Sequence, residues 1–319
     1  LNDVEQSVRN SKEYYGDNMH RLTGRIFEGD EITWRSKEVL QEIKIGYCKD
    51  CGFYHADPYP SEEFLKDYYQ SYEIPCPLYI EERFRIARLL LSYLKEDSSI
   101  VDIGCGKGEM LEVLHKCGFK NLYGTEFGVL RNQSKRISPI TILPYDVNGF
   151  CDWCKKEAKR FDCTILINVL EHVPEPVYLL RRIKDIITTD GMLMFVVPND
   201  FNVLQQVYLE KNKTKPWFLI LPDHVNFFTI NDIDNVVERA GYQVIRKTVQ
   251  FPLEFFLLQG DDYVAAPKTG KKCHKKRVAF EKAFLEVGKL KELEELYSGF
   301  AKMAIGRVMY VFAKPASSK

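Results

Sequence analysis

The stretch Ser99–Leu111 reads SIVDIGCGKGEML, and the order of its residue types decides the fold. Ile100, Val101 and Ile103 are β-branched and nearly continuous, the pattern of a strand covered on both faces. Gly104, Gly106 and Gly108 follow in alternation, a turn tight enough for backbone to approach a ligand closely. Met110, Leu111, Val113 and Leu114 then recur at helical spacing, so the turn opens onto a helix N-terminus. Strand, glycine turn and helix in this order predict the nucleotide-binding crossover of a doubly wound α/β sheet. Two kinds of nucleotide are disfavoured by detail. Glu109 stands where a dinucleotide fingerprint needs its last glycine, and Lys107 is followed by Gly108 rather than by the Ser or Thr of a phosphate loop. Asp102 would face a pyrophosphate with the wrong charge, yet it can accept hydrogen bonds from an ammonium group.

Working outward, a second strand, Asn121–Thr125, ends at Glu126, about 20 residues past the loop. Adjacent parallel strands end side by side, so a bidentate acceptor there meets both hydroxyls of a ribose. A third strand, Ile140–Leu143, leads to Asp146 and Val147. A fourth, Cys163–Ile167, runs into Asn168, Val169, Leu170, Glu171, His172 and Val173. A helix over Val177–Ile187 and a strand Met192–Val197, led by Gly191 and closed by Pro198, complete a parallel set.

The VDIGCGKGEML string closely resembles motif I of class I S-adenosylmethionine (SAM) dependent methyltransferases, and NVLEHV at 168–173 resembles the segment after that family's fourth strand. The resemblance extends from Ser99 to Gln250 and is nearest to small-molecule (sugar and natural-product) methyltransferases. It implies a Rossmann-like, seven-stranded, mostly parallel sheet, with the strands Tyr242–Lys247 and Arg307–Ala313 as the antiparallel edge pair after a helix Ile230–Ala240. It also implies SAM as cofactor and S-adenosylhomocysteine as product. Cofactor contacts then fall on Asp102, Gly104, Cys105, Gly106, Gly108, Glu126, Asp146, Val147, Asn168 and Val169, with Glu126 at the ribose and Asp146 at the adenine.

The 319 residues carry no formal net charge and are 45% hydrophobic and 13% aromatic, enough to bury a large core. Neutrality argues against nucleic acid as the main ligand, because binding a polyanion relies on a basic field. No apolar run is long enough to span a bilayer, and the N-terminus has no signal-peptide pattern. A cytoplasmic monomer or homodimer acting on a small molecule, away from membranes, is the expectation.

Nine cysteines raise the question of a metal. Cys48 and Cys51 form one C-x-x-C and Cys151 and Cys154 another, about 100 residues apart, too far for the paired knuckles of a zinc site. Methyltransferases with this N-terminal pattern carry two knuckles before their P-x-P segment, and only the second stands here. A set of Cys48, Cys51, His55 and Cys76 has irregular spacing, so no metal is expected. Cys163 falls in a buried strand and Cys105 in the glycine loop.

Four regions are predicted: an N-terminal lid over 1–98, the SAM-binding unit over 99–250, a cap insertion over 251–305, and a final edge strand with tail over 306–319. The lid contains a strand hairpin within Val39–Tyr54, a helix capped by Ser61 and a longer helix Tyr79–Leu94. Tyr68, Tyr69 and Tyr72 are its candidates for packing against the sulfonium or binding the acceptor. The insertion carries the basic run Lys271–Arg277 and a charged helix around Phe280–Ala304. A phosphate site or a solvated helix start are both readings of that run.

Methyl transfer is an in-line displacement that needs alignment, exclusion of water and, for a hydroxyl nucleophile, a base. His172 lies in LEHV and His224 in PDHVNFF, positions that resemble those lining the acceptor pocket in sugar and natural-product methyltransferases. His224 is the first choice for the base, with Asp223 orienting it or raising its pKa, His172 holding the acceptor or the cofactor's methionine end, and Asn226 touching the acceptor. The expectation is methyl transfer to a hydroxyl of a sugar or sugar-derived metabolite. An RNA methyltransferase and a non-catalytic SAM-binding protein are the alternatives.

Overall fold

The computed structural model describes residues 32–34, 43–60, 65, 79–127, 139–221, 223–266 and 268–316. Its first elements are strands β1 (Ile32–Trp34), β2 (Ile43–Cys48) and β3 (Phe53–Asp57). Helix α1 (Ile80–Leu91) then hands the chain to β4 (Ser99–Ile103), which is buried at every position. Helix α2 (Glu109–Lys116), β5 (Asn121–Thr125), β6 (Thr141–Leu143), α3 (Val147–Lys156) and β7 (Phe161–Ile167) follow. After a 3-10 turn at Leu170–His172 come α4 (Pro176–Lys184), β8 (Ile187–Pro198), α5 (Val203–Asn212) and β9 (Asn226–Phe227). Then come α6 (Ile233–Arg239), β10 (Tyr242–Val249), α7 (Glu254–Leu258), α8 (Lys268–Glu286), α9 (Leu290–Lys302) and β11 (Val308–Pro315).

Seven strands form the central sheet in the order β10-β11-β8-β7-β4-β5-β6. The pairs β4–β5, β4–β7, β5–β6 and β7–β8 are parallel, and β11 runs antiparallel to both β8 and β10. This is the doubly wound sheet that the glycine turn predicts, with the antiparallel pair where the resemblance puts it. Period two sorts the side chains. Val101, Leu193, Phe195 and Val311 pack in the core on one face, while Ile100, Met194, Val196 and Phe312 pack with α1 and α2 on the other. Each such side chain, fully buried, stabilises the fold by about 1.5–3 kcal/mol before entropy is set against it. Strand order reverses between β4 and β7, so the crevice for a ligand opens beyond the C-terminal ends of β4, β5 and β7.

A second, four-stranded sheet, β1-β2-β3-β9, holds the expected hairpin as β2 and β3, but its pairing with β1 and β9 is not anticipated by the sequence. Tyr54 pairs with Phe227 and His55 with Asn226, so the N-terminal hairpin is stitched to the PDHVNFF segment. A two-residue strand has no periodicity to read. The charged helix expected around Phe280–Ala304 is in fact two helices, because Gly288, at φ +70, ends α8 with its N–H on the Leu285 carbonyl. The basic run lies inside α8 and its charges are taken up locally. Lys272 and Lys276 both close on Asp261, and Arg277, only 1% exposed, pairs with Glu281 at 2.9 Å. With counter-charges already supplied to two of its lysines and its arginine, the run favours the solvated-helix reading over the phosphate site.

Candidate active site

The glycine turn closes against its neighbours as backbone. The Gly104 and Cys105 N–H groups donate to the Thr125 carbonyl at 2.9 and 3.1 Å, pinning the loop to the end of β5. Gly104 and Gly108 sit at φ +72 and +81, and a Cβ there would come within 3.1 Å of Val169 Cγ2 and 3.2 Å of Ile142 Cδ1. Only glycine meets both the conformation and the space. Cys105 turns away from the crevice: a Cβ at Gly124 would lie 2.8 Å from its Sγ, so the thiol is core packing and only the Cys105 backbone belongs to the loop.

Asp102 lies in β4 at 2% exposure, with Oδ1 lacking a hydrogen-bond partner among the described residues. Burial, reinforced by the Glu126 charge and opposed by Arg83, pushes its pKa up to about 8. A buried carboxyl with an open oxygen beside a glycine loop fits the ammonium of an amino-acid moiety. Glu126 accepts the Gly106 N–H at 2.9 Å through Oε2 and the Phe127 N–H at 2.9 Å through Oε1, which fixes its carboxylate over the loop. Asp146 caps α3 by accepting the Gly149 N–H at 2.7 Å, with Val147 as the first residue of the helix. Asn168 adopts φ +53 and its N–H donates to the Val196 carbonyl at 2.9 Å, while Val169 faces Gly104. The loop and the ends of β4, β5 and β7 thus share one crevice.

The 3-10 turn and the segment before β9 bring the two histidines together, with ring centroids 4.9 Å apart and planes at 84°. Asp223 meets His172 directly and reaches His224 only through its charge, which raises that ring's pKa against burial. His172 Nδ1 lies 2.7 Å from the Asp223 carbonyl and 3.2 Å from its Oδ1, an Asp–His arrangement that leaves Nε2 facing Glu171 Oε1 at 4.0 Å. The expected orientation of His224 by Asp223 is therefore corrected: adjacency in sequence does not aim the carboxylate at its neighbour's ring. Burial works against a charge on His172, but the Asp223 and Glu171 carboxylates outweigh it and push the pKa up to about 9. Burial, then the charge on His172, pull His224 down to about 3, so it stays neutral.

Asn226 is a second correction. Its Nδ2 donates to the Leu170 carbonyl at 3.0 Å and the Val173 carbonyl at 2.6 Å, and its Oδ1 accepts from Tyr59 at 3.0 Å. Fully buried and committed at both ends, it clamps the His172 turn to the second sheet rather than touching an acceptor. Tyr68, Tyr69, Tyr72 and Cys76 lie outside the described residues.

Sequence reasoning missed several polar groups here. Glu171 is 1% exposed, and neither of its carboxylate oxygens has a hydrogen-bond partner among the described residues; burial pushes its pKa up to about 7. Asp200, also 1% exposed, accepts from Arg307 Nη1 at 3.1 Å through Oδ1 and leaves Oδ2 open among the described residues. His224 Nδ1 is open in the same sense. Asp200 follows β8 at the ligand-facing end of the sheet, so the strand-end rule that singled out Glu126 would also have found it.

Two groups of ligand-type atoms come within 4.8 Å of one another: Cys48, Cys51 and His55 in the hairpin, and Glu171, His172 and His224 in the crevice. The first group brings together three of the four residues in the Cys48, Cys51, His55 and Cys76 set, and Cys76 lies outside the described residues. Cys151 and Cys154 are buried on the inner side of α3. No helix among the described residues is long and apolar enough to cross a membrane.

Residues 79–247 match the methyltransferase domain family, and the chain belongs to it. That domain lies on the doubly wound sheet and includes the glycine turn described above. A ubiquinone biosynthesis O-methyltransferase of Neisseria meningitidis serogroup C is 25% identical over 104 residues, 31% of this chain and 44% of that protein. The enzyme of the same description from Actinobacillus pleuropneumoniae is 28% identical over 126 residues, 35% of this chain and 53% of that one. The chain thus spans about half the length of the curated relatives it matches. Among solved structures, the plantazolicin methyltransferase BpumL with S-adenosylhomocysteine has 16% identity and a TM-score of 0.45, covering 80% of this chain and 90% of that one. A putative sarcosine dimethylglycine methyltransferase from Galdieria sulphuraria has 12% identity and a TM-score of 0.45, covering 80% and 97%.

Proposed function

We propose that the protein transfers a methyl group from SAM to a hydroxyl of a small, polar acceptor, a sugar or sugar-derived metabolite, with His172 rather than His224 as the base. One observation carries this reading: the buried polar atoms around the histidine pair outnumber the partners the described residues give them. Both oxygens of Glu171, Oδ2 of Asp200 and Nδ1 of His224 lack hydrogen bonds there. Buried polar atoms are rarely left so, and a hydroxyl-rich ligand supplies what they lack. The relatives' names as O-methyltransferases support oxygen as the nucleophile.

In this reading Asp102, Glu126 and the loop from Gly104 to Gly108 hold the cofactor, with Asp146, Val147, Asn168 and Val169 along the same crevice. The cofactor supplies a methyl group on a positively charged sulfur. The acceptor is left for the protein to orient, shield from water and deprotonate. Asp223 holds His172 in the tautomer that carries its proton on Nδ1, so Nε2 takes the hydroxyl proton. Neutral His224 holds the acceptor in place. The N-terminal region and the 251–305 insertion act as lid and cap in the same reading, and the insertion's flank contributes Arg307 next to Asp200. The test is methyl uptake from labelled SAM into a panel of glycosides and nucleotide sugars, with His172→Gln as control. Transfer abolished in that variant at unchanged SAM affinity is expected; SAM binding without transfer to any acceptor would favour a non-catalytic binder, and salt-dependent transfer to RNA the nucleic-acid alternative.

A further inference from the structure

Beside the histidine pair, three segments distant in sequence bring buried polar groups together. Asp200 follows β8, Arg307 precedes β11, and Glu254 opens α7 in the insertion. Glu254 is 0% exposed; its Oε1 accepts from Gln205 Nε2 at 3.3 Å and its Oε2 has no partner among the described residues. The Tyr263 hydroxyl is shielded and unpartnered among the same residues. Arg307 has Asp200, Glu254 and Tyr263 as its electrostatic neighbours, which places these three groups around one guanidinium. Its hydrogen bond goes to Asp200, so one cation is shared between two carboxylates and only one of them is bonded to it.

We propose that Asp200, Glu254 and Tyr263 form a second acceptor subsite, built around Arg307, that binds a protonated amine on the acceptor. The proposal rests on the methyltransferase reading above and adds to it: a hydroxyl near His172 receives the methyl group, and the amine is the handle that docks the molecule. The argument is one of donors and charge. Open carboxylate oxygens of Asp200 and Glu254 call for a ligand that donates, and an ammonium donates three times while cancelling buried negative charge. An acceptor phosphate or carboxylate at the same place would meet both carboxylates and be repelled. A bare metal ion is a poorer occupant, since neither Asp200 nor Glu254 belongs to a group of ligand atoms within 4.8 Å among the described residues. Orphaned oxygens on two side chains held at 0% and 1% exposure make this more than a cluster of acids.

The experiment uses the full chain with SAM and matched glycosides that differ only at one position: amino, hydroxyl or N-acetyl. Methyl transfer is measured on each, and binding to the protein saturated with S-adenosylhomocysteine is measured by calorimetry. The amino form is expected to have a kcat/KM about tenfold or more above the other two, the size of one charge-assisted hydrogen bond. In Glu254→Gln, which keeps the shape and the Gln205 contact, that preference should fall to near unity, and Asp200→Asn should do the same if the first variant folds poorly. Equal use of the three forms, or a preference for the hydroxyl or N-acetyl form, overturns the subsite while leaving the methyltransferase reading intact. Transfer to hydroxyl or N-acetyl forms with none to any amino form also overturns it. Cofactor binding without transfer to anything would instead strike the underlying reading.

Discussion

His172, Asp223 and His224 show how much a few ångströms decide. The Asp223 carboxylate and carbonyl both meet His172 Nδ1, which makes His172 the imidazole with a high pKa and leaves His224 neutral beside it. His172→Gln is expected to lose roughly 10² to 10⁴ in turnover, the range for removing a general base, with SAM affinity near normal. His224→Gln should lose less and show it mainly in the acceptor KM; steady-state kinetics separate the two. At the cofactor end, Glu126→Ala removes a carboxylate fixed over the loop and should weaken SAM binding by about 1.5–3 kcal/mol, measured by calorimetry. Unchanged affinity in a folded variant would remove Glu126 from the site. Much of this scale was legible: carboxylates at strand ends and histidines after β7 and before β9 are visible as residues. What was not legible is direction. Asn226 sits two residues from His224 and spends its side chain on Leu170, Val173 and Tyr59, and nothing in PDHVNFF reveals that.

Among elements, α1 is tied to the insertion by charges in the core. Arg85, 4% exposed, donates from Nε and Nη2 to Glu294 on α9 at 2.7 and 2.8 Å and from Nη1 to the Val249 carbonyl at 2.8 Å. Tyr297 and Tyr310 present their rings to its guanidinium at 4.4 and 5.0 Å. Glu294→Ala should therefore destabilise the fold by about 3–5 kcal/mol in denaturant melts, because it leaves a buried guanidinium without its anion. A change within error would show that water reaches Arg85. The Cys48–Cys51 hairpin gives the opposite kind of prediction. Both sulfurs sit in the core cluster with Phe53 and Phe228. The hairpin should stand by packing, so elemental analysis should find no stoichiometric zinc and chelation should leave the melting curve unchanged. One tightly held zinc per chain would contradict that. Strands and helices of the central sheet were readable because each carries its own period and turn. The four-stranded sheet was not, since β9 is two residues long and pairs with a strand far away in sequence.

At the scale of the molecule, the chain divides its labour across the top of one sheet. One half, β4 to β6 with the glycine turn, carries most of the residues proposed to hold the cofactor, and the other half, from β7 to β11, carries the histidines, Asp200 and Arg307. The strand order puts both at the crevice where it reverses, which is why one short motif foretold the architecture. In the proposed reading the acceptor side comes from loops, the hairpin and the insertion, and how these pack on one another is tertiary, with no local period to record it. The central claim is methyl transfer with proton removal at His172, and its pH dependence tests it most directly. A base with its pKa near 9 is protonated below that value and gains its active form as pH rises. The rate of methyl transfer at saturating SAM should therefore climb by about tenfold per pH unit and level off near pH 9, and Asp223→Asn should move that limb to lower pH. A rate that stays flat over the whole range below that plateau, or a limb that persists in His172→Gln and vanishes in His224→Gln, would contradict the account.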